Sequence, residues 1–292
     1  MAPASLWRGV ALMTTGGLLF AGMGAMAKLA SPSIATLELV AARSLVTLAV
    51  MELVRRRGAV PLVFYQHGIL LSRCLAGFLG ISAYFYALKF IPLGDAVLLN
   101  NASPVLTSTG AVLLLGEKMN KAKLFAMVGS MVGIWLLVHE KTGALEVRGA
   151  TVGALSAVAS AWALISLKIA TRQNRSVMVV WSLAAVSLLV SLLFGAVAQD
   201  WQWPDGREAL LMVATGVLAA MAQLLMTMGY RLMDASLAAI YSYCTPVFAV
   251  LLSMALLGQR PSLSLLLGGL CVIGSGAAVA WREQVRRAAL LP

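Results

Sequence analysis

Apolar stretches of about 20 residues recur along the chain, and the polar residues fall into short runs between them. A helix that crosses a bilayer needs about 20 mainly apolar residues. Ten stretches are candidates: 9–29, 35–54, 68–90, 94–115, 122–138, 149–169, 177–198, 208–231, 236–257 and 263–281. The pattern predicts an all-α integral membrane protein with ten transmembrane helices. Its connections are too short for a soluble domain. The third stretch carries Arg73 near its start, and the fifth is short. The first begins with the single charge of Arg8 and runs apolar from Gly9 to Ala27. It ends in Ala25-Met26-Ala27, which imitates a signal-peptide cleavage site. It is long enough to span and has a counterpart later in the chain, so it is taken as a retained first helix.

Charge then orients the spans. With alternating crossings, the side of the N-terminus collects Arg8, Arg55, Arg56, Arg57, Lys118, Lys121, Lys123, Lys168, Arg172, Arg175, Arg231, Arg282, Arg286 and Arg287. The other side collects Lys28, Lys89, Lys141, Arg148, Arg207 and Arg260. Lys and Arg favour the cytoplasmic side. The expectation is a multi-pass protein of the bacterial inner (plasma) membrane with both termini cytoplasmic.

The chain also repeats itself. At an offset of 142 residues, Pro104 meets Pro246, Ser103 meets Thr245, Lys89 meets Arg231 and Gly116 meets Gly258. Near the start of each half the offset is 140, so Lys28 meets Lys168. The predicted units are residues 1–145 and 146–292, each with five spans. Five is odd, so the second unit enters the membrane from the opposite face. Two inverted five-helix repeats are a design common among secondary transporters.

Composition narrows the class further. Hydrophobic residues make up 61% of the 292 and charged residues only 11%, against about 25% charged in soluble domains. A net charge of +11 would suggest nucleic acid in a soluble protein. Here the cations lie between apolar runs and serve topology and anionic lipid, so no nucleic-acid partner is expected. Cys74, Cys244 and Cys271 are widely spaced in apolar runs, which indicates neither a disulfide framework nor a metal site. No cofactor is indicated, and a monomer is the expected unit.

Certain stretches carry a resemblance. They are Lys28 closing the first helix, Glu38 and Arg43 in the second, and ALKFIPLGDAVLLNNASPVLTSTGAVLLLGEK across the third and fourth. The second copy keeps Lys168 but has Leu183 for the arginine and Gln259 for Glu117. In these features the chain resembles the EamA family of the drug/metabolite transporter superfamily, once per half. The resemblance implies the inverted-repeat fold and, for most members, export of amino acids, nucleobases, vitamins, metallophores or drugs.

Several residues could carry chemistry. Arg43 lies about eight residues, roughly 12 Å, into its span. A charge at that depth costs a few kcal/mol unless it meets water or a partner. It could orient a substrate carboxylate, pin helices together, or snorkel. Glu38 is five residues away, roughly 140° round the helix, and is a poor partner for it. Asp95 opens the fourth span, as a gate, as a proton carrier, or as a carboxylate suited to a helix N-terminus. Asn100, Ser103 and Thr107 share one face there, with Asn101 beside them and Pro104 as a hinge. The ninth span repeats this with Tyr241, Ser242, Thr245 and the hinge Pro246. Paired polar, proline-bearing helices point to a midplane site, although Ser, Thr and Asn also bond helices to each other. Tyr84, Tyr86, Gln223 and Trp162 complete the candidate set. Lys28 and Lys168 are expected to be snorkelling interface anchors.

Other functions fit less well. A membrane enzyme would need catalytic groups in the core, and no His-Glu-x-x-His, Gly-x-Ser-x-Gly or intramembrane aspartate pair occurs. A channel needs an open polar stripe. A short multidrug pump of the four-helix type depends on a glutamate in its first helix, which is absent here. The sequence therefore points to alternating-access export of a small polar or zwitterionic metabolite. An amino acid or an amino-acid-derived compound such as a metallophore would suit. A multidrug or vitamin/nucleobase transporter of the same fold is the alternative.

Overall fold

Each long apolar stretch has one low-cost way to satisfy its backbone away from water, the internally hydrogen-bonded helix. The structure is a computed structural model. It describes residues 3–107, 121–139, 143–198, 201, 203–232, 238 and 241–288. In chain order the helices are α1 (Pro3–Ala30), α2 (Thr36–Arg57), α3 (His67–Phe90), α4 (Leu93–Asn100) and α5 (Lys121–His139). They continue as α6 (Ala144–Ala170), α7 (Ser176–Ala198), α8 (Gly206–Leu232), α9 (Cys244–Leu257) and α10 (Leu263–Ala288). No strand occurs among the described residues. Among the described residues, five helices, α1, α3, α6, α7 and α8, are long and apolar enough to cross a membrane by length and composition. Shorter apolar helices occupy Cys244–Leu257 and Leu263–Gly274. Residues 108–115 of the fourth expected span, and 236, 237, 239 and 240 of the ninth, lie outside the described residues.

The molecule is apolar on both sides of its helices, as lipid-facing proteins are. Large side chains point outward, among them Leu79, Leu155, Phe194 and Leu270. The buried side holds charge: Glu38, Arg43, Arg73 and Asp95 are all at most 6% exposed. Small residues let the helices approach closely. A Cβ on Gly133 would stand 2.8 Å from the carbonyl oxygen of Gly268, so α5 and α10 meet backbone to backbone.

Packing is interlaced between the halves. α1 packs on α8 and α3 on α6; α2 packs on α8 and α3 on α7; α1 packs on α9 and α4 on α6. Exchanging each helix with the one five places on turns the first member of each couple into the second. The pairs α2–α7, α4–α9 and α5–α10 turn into themselves. The contact scheme thus has the two-fold exchange symmetry of the sequence repeat.

Both proline-bearing helices break at repeat-equivalent positions. α4 stops at Asn100, the backbone turns at Asn101 and Ala102, and helix resumes at Ser103. In the second half the turn is at Tyr243, 142 residues after Asn101. Pro104 and Pro246 cause this, because neither has an N–H to give the carbonyl four residues earlier. Those carbonyls belong to Asn100 and Ser242. The fourth and ninth expected spans are therefore interrupted beside the expected hinges.

At one end of the bundle the α2–α3 connection is fastened to the second half. Asn174 accepts from the Tyr65 N–H at 2.9 Å and donates to the Tyr65 carbonyl at 3.1 Å. Phe64 lies 5.7 Å from Trp181, centroid to centroid. Glu52 accepts from Arg55, Arg56 and the Trp181 Nε1–H. At the other end, the Gln259 side-chain oxygen accepts from the Leu93 N–H at 3.1 Å and from Ser253 at 2.6 Å.

Candidate functional site

The two helix breaks face one cavity of about 170 Å³ between the halves. Asn100 and Asn101 line it from the first break, with Ser103 and Pro104; Ser242 and Thr245 line it from the second. α3 contributes Tyr84 and α8 contributes Gln223. Arg43 enters from α2. Nine of the residues singled out in the sequence are thus brought to one space.

The lining follows the repeat. Asn100 and Ser242, Ser103 and Thr245, Ile81 and Gln223, and Tyr84 and Met226 are each 142 residues apart, and all line the cavity. Phe20 with Ser160, and Met23 with Ala163, do the same at the offset of 140. The walls combine apolar surface with hydroxyls and amides, as small-molecule sites do.

Two arginines break that symmetry. Arg43 is 1% exposed and Arg73 is 6% exposed, and both line the cavity. Their repeat mates are Leu183 and Thr215, neither of them among the lining residues. The Nε of each arginine is buried without a hydrogen-bond partner. No acidic side chain is found among the described lining residues. The cavity therefore has a cationic pole on the first half and a neutral, hydrogen-bonding pole opposite. Arg43 does not snorkel to an interface; it ends inside the protein.

Arg73 is the functional candidate that sequence reasoning passed over. Its signal was the same as that of Arg43, a charge within an apolar span. Its place near the span's start marked that stretch as a weaker span, and no site role was drawn from it. Ser160 and Thr227, also on the cavity wall, carried no signal beyond being small polar residues on apolar helices. Tyr230 lines it too.

Other candidates stand elsewhere. Trp162 points outward at 45% exposed and donates its Nε1–H to Ser72 at 2.7 Å. Tyr86 packs against Phe90 with tilted rings, 5.0 Å between centroids, and receives the Arg148 guanidinium at 5.7 Å. Thr107 spends its hydroxyl on the carbonyls of Ser103 and Ala161. Tyr241 does not line the cavity, and Pro246 is buried within α9. Lys28 is also no snorkelling anchor. Its ammonium donates to the carbonyls of Leu88 and Ile91, closing the end of α3.

Some lining residues do structural work as well. Asn100 donates its amide to Ser156 and Ser160, each at 2.9 Å, tying the first break to α6. Asn101 donates to the Val97 carbonyl at 2.9 Å. Glu38 is buried at the start of α2. Asp95 is buried in the first turn of α4 and lines a second hollow of about 40 Å³ with Gln259 and Arg260. That placement suits a carboxylate near a helix N-terminus. The described residues contain no group of three or more His, Cys, Asp or Glu side chains that could hold a metal ion.

Residues 7–139 and 147–281 each match the model of the EamA-like transporter family. Among relatives, the pseudopaline exporter CntI of Pseudomonas aeruginosa is 27% identical over 91% of this chain and 93% of its own. A riboflavin transporter of Vibrio cholerae is 27% identical over 76% of this chain and 74% of its own. The aromatic amino acid exporter YddG of Ancylobacter novellus is 28% identical over 68% and 70%. A crystal structure that is 21% identical superposes with a TM-score of 0.71, covering 94% of this chain and 98% of that one. At that identity it speaks for the fold alone.

Proposed function

Since the chain belongs to the EamA-like transporter family of the drug/metabolite transporter superfamily, a membrane-embedded class with small-molecule substrates, we propose that it exports a small carboxylate-bearing polar or zwitterionic metabolite by alternating access. The observation that carries this is the pair of buried arginines in a cavity whose described lining holds no acid. A guanidinium there has strong donors in a fork that matches a carboxylate. The opposite wall offers Ser242, Thr245 and Gln223 to the solute's polar remainder. An amino acid or an amino-acid-derived compound, a metallophore included, has both kinds of group.

Ten crossing helices in two inverted units, 1–145 and 146–292, give the motion. The exchange symmetry of the packing supports this, because two equivalent halves can trade conformations. The breaks before Pro104 and Pro246 are the hinges. Both termini lie in the cytoplasm of a bacterial cell, by the distribution of Lys and Arg. Glu38 and Asp95, the buried carboxylates among the described residues, are the candidates for coupling a proton. The protein is a carrier and not an enzyme, and it works as a monomer. A second reading is favoured by the apolar walls of Phe20, Met23, Ile81 and Met226: a larger planar vitamin or drug held by hydrophobic contact.

The test is counterflow in proteoliposomes, with carboxylate-bearing amino acids, riboflavin and cationic dyes as competitors and with an imposed pH gradient present or absent. Trans-stimulated uptake of a carboxylate solute, abolished in Arg43→Ala protein that still folds, is the expected result. Uptake of cations alone, or equal rates in the variant, would sink the carboxylate reading. Absence of counterflow for every solute would speak against a carrier.

A further inference from the structure

Charge balance in the cavity makes a narrower statement than the family does. Arg43 and Arg73 share one small space, and both are more than nine-tenths buried. Among the described residues, the ion pairs join Glu52 to Arg55 and Arg56, none of which lines this cavity. No acidic side chain meets either buried guanidinium there. Each carries an Nε with no hydrogen-bond partner. Removing two like charges from water costs several kcal/mol per ion, and only opposite charge with good hydrogen bonds repays it. One carboxylate would leave one guanidinium unmatched in a largely apolar enclosure. Two carboxylates give each guanidinium its own counter-charge.

We propose that the transported solute carries two anionic groups, one for Arg43 and one for Arg73, with its neutral or amine end toward Ser242 and Thr245. This rests on the carboxylate reading above and specifies it. The repeat supports the assignment. Leu183 and Thr215 stand at the equivalent positions of the second half, so the fold does not need these two charges. They are an addition to one half of a symmetric cavity, and what they add is affinity for two anionic groups at one pole. Arg73 is then a substrate-contacting specificity residue. A monocarboxylate of the same length would leave its guanidinium buried and unmatched, which is a strong way to reject a competitor.

The experiment uses the full-length protein in detergent and reads thermal unfolding against increasing L-glutamine, L-glutamate and succinate. Glutamine and glutamate share a skeleton and differ by one charge; succinate has two carboxylates and no amine. Wild type is expected to respond to glutamate at a concentration at least tenfold below that for glutamine, with succinate siding with glutamate. In Arg73→Gln the gap between glutamate and glutamine should close to less than threefold. Arg73→Lys, which keeps the charge, should restore most of it and guards against a folding defect in the first variant. Equal responses of wild type to glutamate and glutamine would overturn the two-charge proposal and leave the carboxylate reading standing. A gap that persists in Arg73→Gln would overturn the role of Arg73. No response to any of the three, with a response to a cationic dye, would overturn both readings together.

Discussion

Replacing Arg43 by methionine separates a substrate-binding arginine from a helix-pinning one. A residue that pins helices stabilises the empty protein; a residue kept for a solute burdens it. The guanidinium is 1% exposed, and its Nε has no hydrogen-bond partner. A charge at the centre of a spanning helix costs about 2.5–3.5 kcal/mol on insertion scales. Arg43→Met removes that cost together with the repulsion from Arg73. Methionine keeps a similar stem, and imperfect repacking offsets about 1.5 kcal/mol of that gain. The net expectation is a gain of about 1–2 kcal/mol in the absence of solute. At about 2–4 °C per kcal/mol for a chain of this size, the melting temperature should rise by about 2–8 °C. Tryptophan fluorescence during heating reads it, since the chain has seven tryptophans. The same protein should lose counterflow of the carboxylate solute. A melting temperature below that of wild type would refute the reasoning, because it would mean that Arg43 holds helices together.

Three further outcomes follow from the contacts. Asn100→Ala removes two bonds to Ser156 and Ser160; at about 0.6 kcal/mol each in a membrane, the loss is about 1 kcal/mol, seen as a lower midpoint in thermal unfolding. Asn174→Ala frees the Tyr65 N–H and carbonyl from their clamp, costing about 1–3 kcal/mol; trypsin should then cut sooner after the exposed Arg57 at the start of that connection, and an unchanged cutting rate would show that the clamp does not hold the loop. Gly133→Ala should cost about 1–3 kcal/mol by overpacking, since its Cβ meets the Gly268 carbonyl oxygen and Val272 at 2.8 Å each. Gly274→Ala, inside α10 with nothing within 4 Å, is the control and should be unchanged or up to about 1 kcal/mol more stable.

The amino-acid sequence was sufficient for the class, the repeat and the polar stretches of the proline-bearing helices. Lipid makes these legible. A run of about 20 apolar residues has few alternatives to a helix, and a polar group or charge inside such a run stands out against its cost. Arg43, Asn100, Ser103, Ser242 and Thr245 were visible for that reason. What the sequence could not carry is the direction in which each helix faces. In water, the apolar stripe marks the core side. In a membrane both faces are apolar, so hydrophobicity no longer separates lipid from protein interior. Trp162 and Tyr86 therefore looked like site residues and lie outside the cavity. Arg73, a charge near the start of its span, drew no site assignment and lies inside the cavity beside Arg43. Only the packing of α2, α3, α6 and α8 against one another decided that. Helix–helix contact in lipid is set by shape, small residues and interhelical hydrogen bonds, which are properties of the assembled faces and not of any one stretch of chain.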